Sequence, residues 1–400
     1  MKRNLWLGLT FLLVLGLIAT ACAPQAAPTQ APAPTTAPAA QPTAAPAEPT
    51  AAPAEPTAAP AASKFKIAFV YIGPPGDLGW TYEHDRGRKL LQEHFGDKIE
   101  TTAIENVPEG PDAARVIRQY AQQGYNMIFT TSFGYMDPTI EVAKEFPNVY
   151  FEHCSGYKTA ENVATYFGQI EEARYLSGLV AGKMTKSNII GYVGAFPIPE
   201  VIRGCNAFTL GVRAANPKAE VRIVWTNTWY DPVKEREAAV ALLDQGADII
   251  AQHQDTTEPQ KAAAERGMLS IGYDSDMSKF VGDTVLTGPV WNWSTYYIQT
   301  VQDALDGKWK THQYWGGMKE GVVTLAPLSD KVPQEVKDFV QAEEAKFLSG
   351  EKTDLDVFAG PLKDNTGKEM VAAGQKMTQD EILNMNWLVE GVKGTIPATQ

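Results

Sequence analysis

Apolar and polar positions along the chain fall into two alternating patterns. Short runs at 65–72, 101–105, 127–131 and 149–153 are rich in β-branched and aromatic residues and nearly free of charge, as parallel strands buried on both faces require. Between them, 81–95, 111–123 and 138–145 carry helical spacing. A second series follows, with strands at 189–195, 221–225, 249–252 and 269–273 and helices at 233–245 and 259–266. The two series echo each other in letters. Gln123-Gly124 before Ile128-Phe129-Thr130-Thr131 returns as Gln245-Gly246 before Ile250-Ala251-Gln252-His253. This repeated alternation predicts an α/β protein of two doubly wound parallel sheets. Two such lobes joined by a hinge leave a cleft that suits a small molecule.

Ligands of doubly wound sheets sit beyond the carboxyl ends of the strands. Asp77, Trp80 and Tyr82 follow the first strand and Phe133 the third. In the second series Asn227 and Trp229 follow the second strand, Asp255 the third and Asp274 the fourth; Trp291 and Trp293 follow a further strand at 285–287. Flat aromatic faces with carboxylates at their edges describe a site for a flat heterocycle bearing N–H donors. Any one of these aromatics taken alone is as well explained by core or hinge packing. His84, His153 and His253 lack the paired spacing of a metal site and are expected to pack or cap, so neither a metal nor a cofactor is predicted. Cys154 and Cys205 fall in different predicted lobes, where a disulfide would pin the hinge, and are expected as buried free thiols.

The ends of the chain add an address. Lys2 and Arg3 precede an apolar run from Leu5 to Ile18 and small residues before Cys22, a secretory signal over 1–21. Residues 23–62 are almost entirely Ala, Pro, Thr, Gln and Glu, with Pro42–Glu48 repeated as Pro49–Glu55. Such a segment lacks the apolar surface to order itself and spans on the order of 100 Å at most when extended. A spacer directly after a cysteine fits a lipid-anchored Cys22, although Ala19 stands where a lipobox usually has Leu; simple cleavage after Ala21 is the alternative. The net charge of -12 is spread thinly with no basic cluster, which argues against nucleic-acid binding.

Five segments carry a family likeness: Gly76-Asp77-Leu78-Gly79-Trp80-Thr81-Tyr82-Glu83-His84-Asp85, Thr130-Thr131-Ser132-Phe133-Gly134-Tyr135, Phe196-Pro197-Ile198-Pro199-Glu200, Trp229-Tyr230-Asp231-Pro232 and Trp315-Gly316-Gly317-Met318-Lys319-Glu320-Gly321. From Lys64 to Pro397 the chain resembles the basic membrane protein family, the PnrA-like substrate-binding lipoproteins of ABC transporters. The resemblance implies a type I periplasmic-binding fold, a purine-type ligand held between two lobes, and delivery to a membrane permease by a monomer. Nucleoside-binding members have an Asp-x-Ser-Phe-Asn loop and a ribose-contacting Lys. This chain has Asp77-Leu78-Gly79-Trp80-Thr81 and Gly288-Pro289-Val290-Trp291-Asn292-Trp293 instead, so the likeness implies the subgroup that takes free bases such as adenine. A base would stack between Trp80 or Phe133 and Trp229, with Asp255 or Asp274 accepting its N–H groups. Closure would turn on crossings near Phe167, Trp293 and Leu325. The expected organisation is lobe one from 64–166 and 294–325, lobe two from 167–293 and 326–356, and an appendage from 357–400 in which 357–360 and 369–373 flank Asp364-Asn365-Thr366-Gly367 as a hairpin.

Three rival classes remain. A purine nucleoside hydrolase would use Asp255 with Asp274-Ser275-Asp276 to hold a divalent cation, but lacks the acidic cluster expected near the first strand. A dinucleotide oxidoreductase is disfavoured because Gly73-x-x-Gly76-x-x-Gly79 is not the required glycine fingerprint. A ligand sensor coupled to a receptor would share the same cleft.

Overall fold

The structure, a computed structural model, describes residues 64–397; the expected signal, Cys22 and spacer lie outside the described residues. The first series runs β1 (Phe65–Val70), α1 (Trp80–Phe95), β2 (Ile99–Ile104), α2 (Pro111–Gln122), β3 (Met127–Thr130), α3 (Met136–Ala143), β4 (Tyr150–Cys154) and β5 (Val163–Gly168). The second runs α4 (Ile170–Met184), β6 (Ile189–Gly194), α5 (Pro199–Ala215), β7 (Glu220–Trp225), α6 (Pro232–Asp244), β8 (Ile249–His253), α7 (Glu258–Glu265), β9 (Leu269–Ser270) and α8 (Ser278–Val281). Then come β10 (Pro289–Trp291), α9 (Trp293–Leu305), β11 (Gln313–Gly316), β12 (Val323–Leu325), α10 (Gln334–Ser349), α11 (Asp354–Val357), β13 (Leu362–Lys363), β14 (Glu369–Val371), α12 (Gln379–Leu383) and β15 (Val392–Lys393).

Sheet 1 has the order β11-β5-β4-β3-β1-β2 and sheet 2 the order β15-β7-β6-β8-β9, and every pair in both is parallel. In each sheet the first strand of the series is flanked by the second and third, which places the switch in strand order, and hence the natural crevice, at equivalent points. Helices cover both faces: α1 packs with α9 and α2 with α3 around sheet 1, α4 with α5 and α6 with α7 around sheet 2. The α4–α5 contact is unusually close, because Gly178 and Gly182 lie against the carbonyls of Phe208 and Val212, and Gly211 against that of Tyr175.

Neither sheet is made from one stretch of chain. β11 returns to the edge of sheet 1 after sheet 2 has been laid down, with Trp315 in register with Phe167. The appendage packs on lobe two: Asn206 of α5 donates to the Trp387 carbonyl at 2.7 Å and accepts from the Val389 amide at 2.9 Å, and β15 then pairs with β7. At the crossings Phe167, Trp291, Trp293 and Trp315 form one aromatic cluster; the Trp291 and Trp293 rings stack at 4.4 Å and Phe167 meets Trp291 at 4.8 Å.

Three expected elements differ. The strand expected at 269–273 keeps ladder pairing only over Leu269–Ser270, and the strand expected at 285–287 is no ladder strand at all. These segments instead bond to each other, Leu286 N–H to the Ser270 carbonyl and Gly272 N–H to that of Thr287. Gly272 and Gly288 approach so closely that a Cβ on Gly288 would lie 2.5 Å from the Gly272 oxygen. The C-terminal hairpin pairs Leu362–Lys363, not 357–360, with β14, because Val357 ends α11. Cys154 and Cys205 are free and buried.

Candidate functional site

A narrow cavity opens between the lobes, lined by Ile72, Trp80, Ser132, Phe133, Ser155, Glu200, Trp229, His253, Asp255 and Tyr273. Every lining residue follows, ends or lies just beyond a parallel strand of one sheet or the other.

On the lobe-one wall, Trp80 opens α1 and its indole N–H donates to the Thr131 carbonyl at 2.7 Å, which fixes the ring. Behind it His84 stacks on Trp293 at 4.8 Å, and Trp293 on Trp291, so the space beneath Trp80 is filled by rings. Phe133 sits on a turn held by Glu109, whose Oε1 accepts from the Ser132 hydroxyl at 2.6 Å and the Gly134 amide at 2.8 Å.

The lobe-two wall brings the acids. Glu200 lies in the first turn of α5 with Oε1 3.5 Å from His253 Nε2, and Tyr273 Oη is 3.3 Å from the same nitrogen. Arg174 is buried beneath them, its guanidinium 3.6 Å from the centre of the Tyr273 ring and donating to the Gln252 carbonyl at 2.6 Å. Burial pushes the Glu200 carboxyl up to about 7. Burial, reinforced by the neighbouring Asp274, Asp77, Glu235 and Glu200 carboxyls, holds Asp255 well above the usual carboxylate range, and its Oδ2 has no partner within the protein. Among the buried side-chain polar atoms lining the cavity, Asp255 Oδ2 and His253 Nδ1 are left without a partner, and the carboxyl oxygen suits a ligand bearing N–H or O–H donors.

Of the ten residues singled out by position after a strand, Trp80, Phe133, Trp229 and Asp255 meet in this cavity. The other six do not line it, for reasons visible in their contacts; Trp291 packs between Phe167 and Trp293 in the cluster at the crossings. Asp77 spends its carboxylate on the start of α1, accepting from the amides of Gly79, Thr81 and Tyr82 at 2.7 to 2.9 Å. Tyr82 turns its ring edge to Phe280, Asn227 is exposed after β7, and Asp274 accepts from the Trp291 indole at 3.1 Å. Trp293 is sealed between His84 and Trp291. Position after a strand had not separated out Glu200, His253 and Tyr273. Among the described residues no group of three His, Cys, Asp or Glu side chains is placed to hold a metal ion.

Several buried acids titrate upward together: besides Glu200, burial raises Asp77 to about 6 and Glu83 and Glu235 to about 7. The folded protein therefore binds more protons than the unfolded chain between the ordinary value near 4 and pH 7, and stability falls as pH rises through that window. Thermal unfolding followed by circular dichroism is expected to give a higher Tm at pH 5 than at pH 8; the reverse order would mean these groups stay ionised when buried.

The model of the ABC transporter substrate-binding protein PnrA-like family (Bmp) matches residues 64–353. The chain belongs to this family. A purine-binding protein of Brucella abortus is 50% identical over 334 residues, covering 84% of this chain and 94% of its own. A Haloferax volcanii protein, provisionally assigned as the glucose-binding protein of an ABC transporter, is 43% identical over 331 residues, 83% of this chain and 81% of that one. Among solved structures, an ABC transporter solute-binding protein from Aeropyrum pernix K1 superposes with a TM-score of 0.63 at 18% identity, covering 80% and 95%. The two-lobed architecture is accordingly the type I periplasmic solute-binding fold. PnrA-like proteins are binding components, not enzymes, and they work outside the cytoplasm. No helix among the described residues of this binding protein is long and apolar enough to cross a membrane.

Proposed function

We propose that the protein captures a free purine base, adenine foremost, and hands it to the permease of an ABC importer. The carrying observation is the composition of the cleft: three aromatic rings, Trp80, Phe133 and Trp229, beside two carboxyl groups, Glu200 and Asp255. Base–aromatic stacking contributes about 1–3 kcal/mol per face, and a donor-poor ligand would leave buried carboxyls unpaired. The Trp291–Trp293–His84 stack fills the space behind Trp80, which favours a base over its nucleoside. The purine-binding relative supports the same ligand class.

Calorimetric titration with adenine, guanine, adenosine and inosine tests this reading. Adenine binding at least tenfold more tightly than adenosine is expected; adenosine binding better would remove the filled-pocket argument. A sugar is the second reading, favoured by the Haloferax relative and by the affinity of carboxylates for hydroxyl donors, so glucose belongs in the same series. We further propose that acylated Cys22 tethers the protein to the membrane. Cys22→Ala is expected to release it into the medium or the soluble fraction, as read by fractionation; retention at the membrane would remove the anchor.

A further inference from the structure

Beyond the crossings, the lobes also meet at the loop after β1. Leu78, at φ 65°, forms an isolated antiparallel bridge with Thr256 across the cleft, and its carbonyl accepts the hydroxyl hydrogen bond of Ser275. The next residue, Gly79, lies on the Asp255 carbonyl so closely that a Cβ would collide with it. One helical turn on, the Tyr82 ring meets Phe280 edge-on at 5.4 Å. Both sides of this contact are braced from within. Asp77 gathers the amides of Gly79, Thr81 and Tyr82 in lobe one. In lobe two Glu235 accepts from the Thr256 hydroxyl at 2.6 Å, the Thr256 amide at 3.2 Å and the Asp231 amide at 3.0 Å.

We propose that Leu78-Gly79 is a latch that docks on the backbone of Asp255-Thr256 and thereby positions the Asp255 carboxyl in the cavity. Gly79, Leu78 and Ser275 are then positioning residues for ligand capture, acting through Asp255 and not by touching the ligand; this rests on the cleft being the ligand site. A side chain at 79 cannot occupy the closed interface, because the atom it meets is backbone and not the movable end of a side chain. A latch formed only when the lobes are together slows opening, so its loss shows in the dissociation rate and far less in association.

Gly79→Ala alone is an impure test, since its Cβ would push directly on the Asp255 backbone that lines the cavity. Two variants in the opposite lobe avoid that. Ser275→Ala and Phe280→Ala, each in the full-length chain, are compared with the unaltered protein by stopped-flow tryptophan fluorescence with adenine as the probe. Each is expected to speed adenine release ~3- to 10-fold, the range of one ordinary hydrogen bond or small packing contact, with association changed by less than about twofold. Release unchanged in both variants would overturn the latch while leaving the purine reading intact. Should the unaltered protein bind no adenine, the purine reading fails on its own, and hydrogen exchange of the ligand-free protein still decides the latch. Phe280→Ala is expected to raise exchange of residues 76–82 in the other lobe together with 254–257; exchange raised only around 280, or nowhere, would overturn it.

Discussion

Under the purine reading, Asp255→Ala is expected to lower adenine affinity by about 30- to 100-fold, and Asp255→Asn to keep most of it. The first figure corresponds to losing a hydrogen bond to a buried polar group, about 2–3 kcal/mol. The second follows from the state of the native group. Asp255 makes no ion pair, is buried, and lies among the carboxyls of Asp274, Asp77, Glu235 and Glu200, all of which hold it toward its protonated form. A neutral carboxyl offers one acceptor and one donor side by side. That pattern complements an amino group next to a ring nitrogen, and an amide reproduces it. Titration calorimetry of the two variants from pH 5 to 9 measures both effects. Because the raised carboxyl is protonated at low pH and ionises as pH climbs, adenine affinity of the native protein weakens toward pH 9, while that of Asp255→Asn stays flat through this group. Equal damage from Ala and Asn would mean that the site works through an ionised carboxylate.

Gly211→Val is expected to destabilise lobe two strongly. Gly178 and Gly182 on α4 and Gly211 on α5 bring the two helices into backbone contact, and each would drive a Cβ into a carbonyl oxygen of the facing helix. Helices that approach on glycine cannot yield as a flexible side chain would, so the cost is at or above the usual ~1–3 kcal/mol of overpacking. In a domain of this size that lowers Tm by roughly 2–12 °C. Gly76→Ala is the control, because nothing lies within 4 Å of its Cβ position and its φ is not left-handed. A Gly211→Val Tm within about 1 °C of the Gly76→Ala value would show that the seam relaxes at no cost.

The repeat was legible in the sequence because it records a physical requirement. Gln-Gly before each third strand marks the end of α2 and of α6, where Gly124 and Gly246 take left-handed φ of 77° and 94° to release the chain toward β3 and β8. The strand ends then pointed to the right region, but not to the right atoms. Asp77, Asp255 and Asp274 look alike as acids after strands. Only contacts distinguish them: Asp77 is consumed by helix amides, Asp274 is held through Oδ1 by the Trp291 indole and does not line the cavity, and Asp255 does. Asp77 carried a readable warning in its place just before a helix start, where a carboxylate caps amides. Glu200 was readable too, had the rule about strand ends been applied to β6 and the helix it feeds. His253 and Tyr273 had no such signal: His253 ends β8 and Tyr273 lies three residues past β9, and their letters alone do not tell which way each side chain turns. The edges of the sheets were invisible for a different reason, because β11 and β15 are short and pair with strands far away in sequence.

Those late edge strands set the order in which the molecule becomes finished. Sheet 1 waits for Gln313–Gly316 and sheet 2 for Val392–Lys393, so a chain emerging N-terminus first carries sheet 1 unfinished until β11 and sheet 2 unfinished until β15. Pairings between distant segments are slow to form. The lobe begun second is therefore also the one closed last, and neither half can reach its final edge before the other has been started.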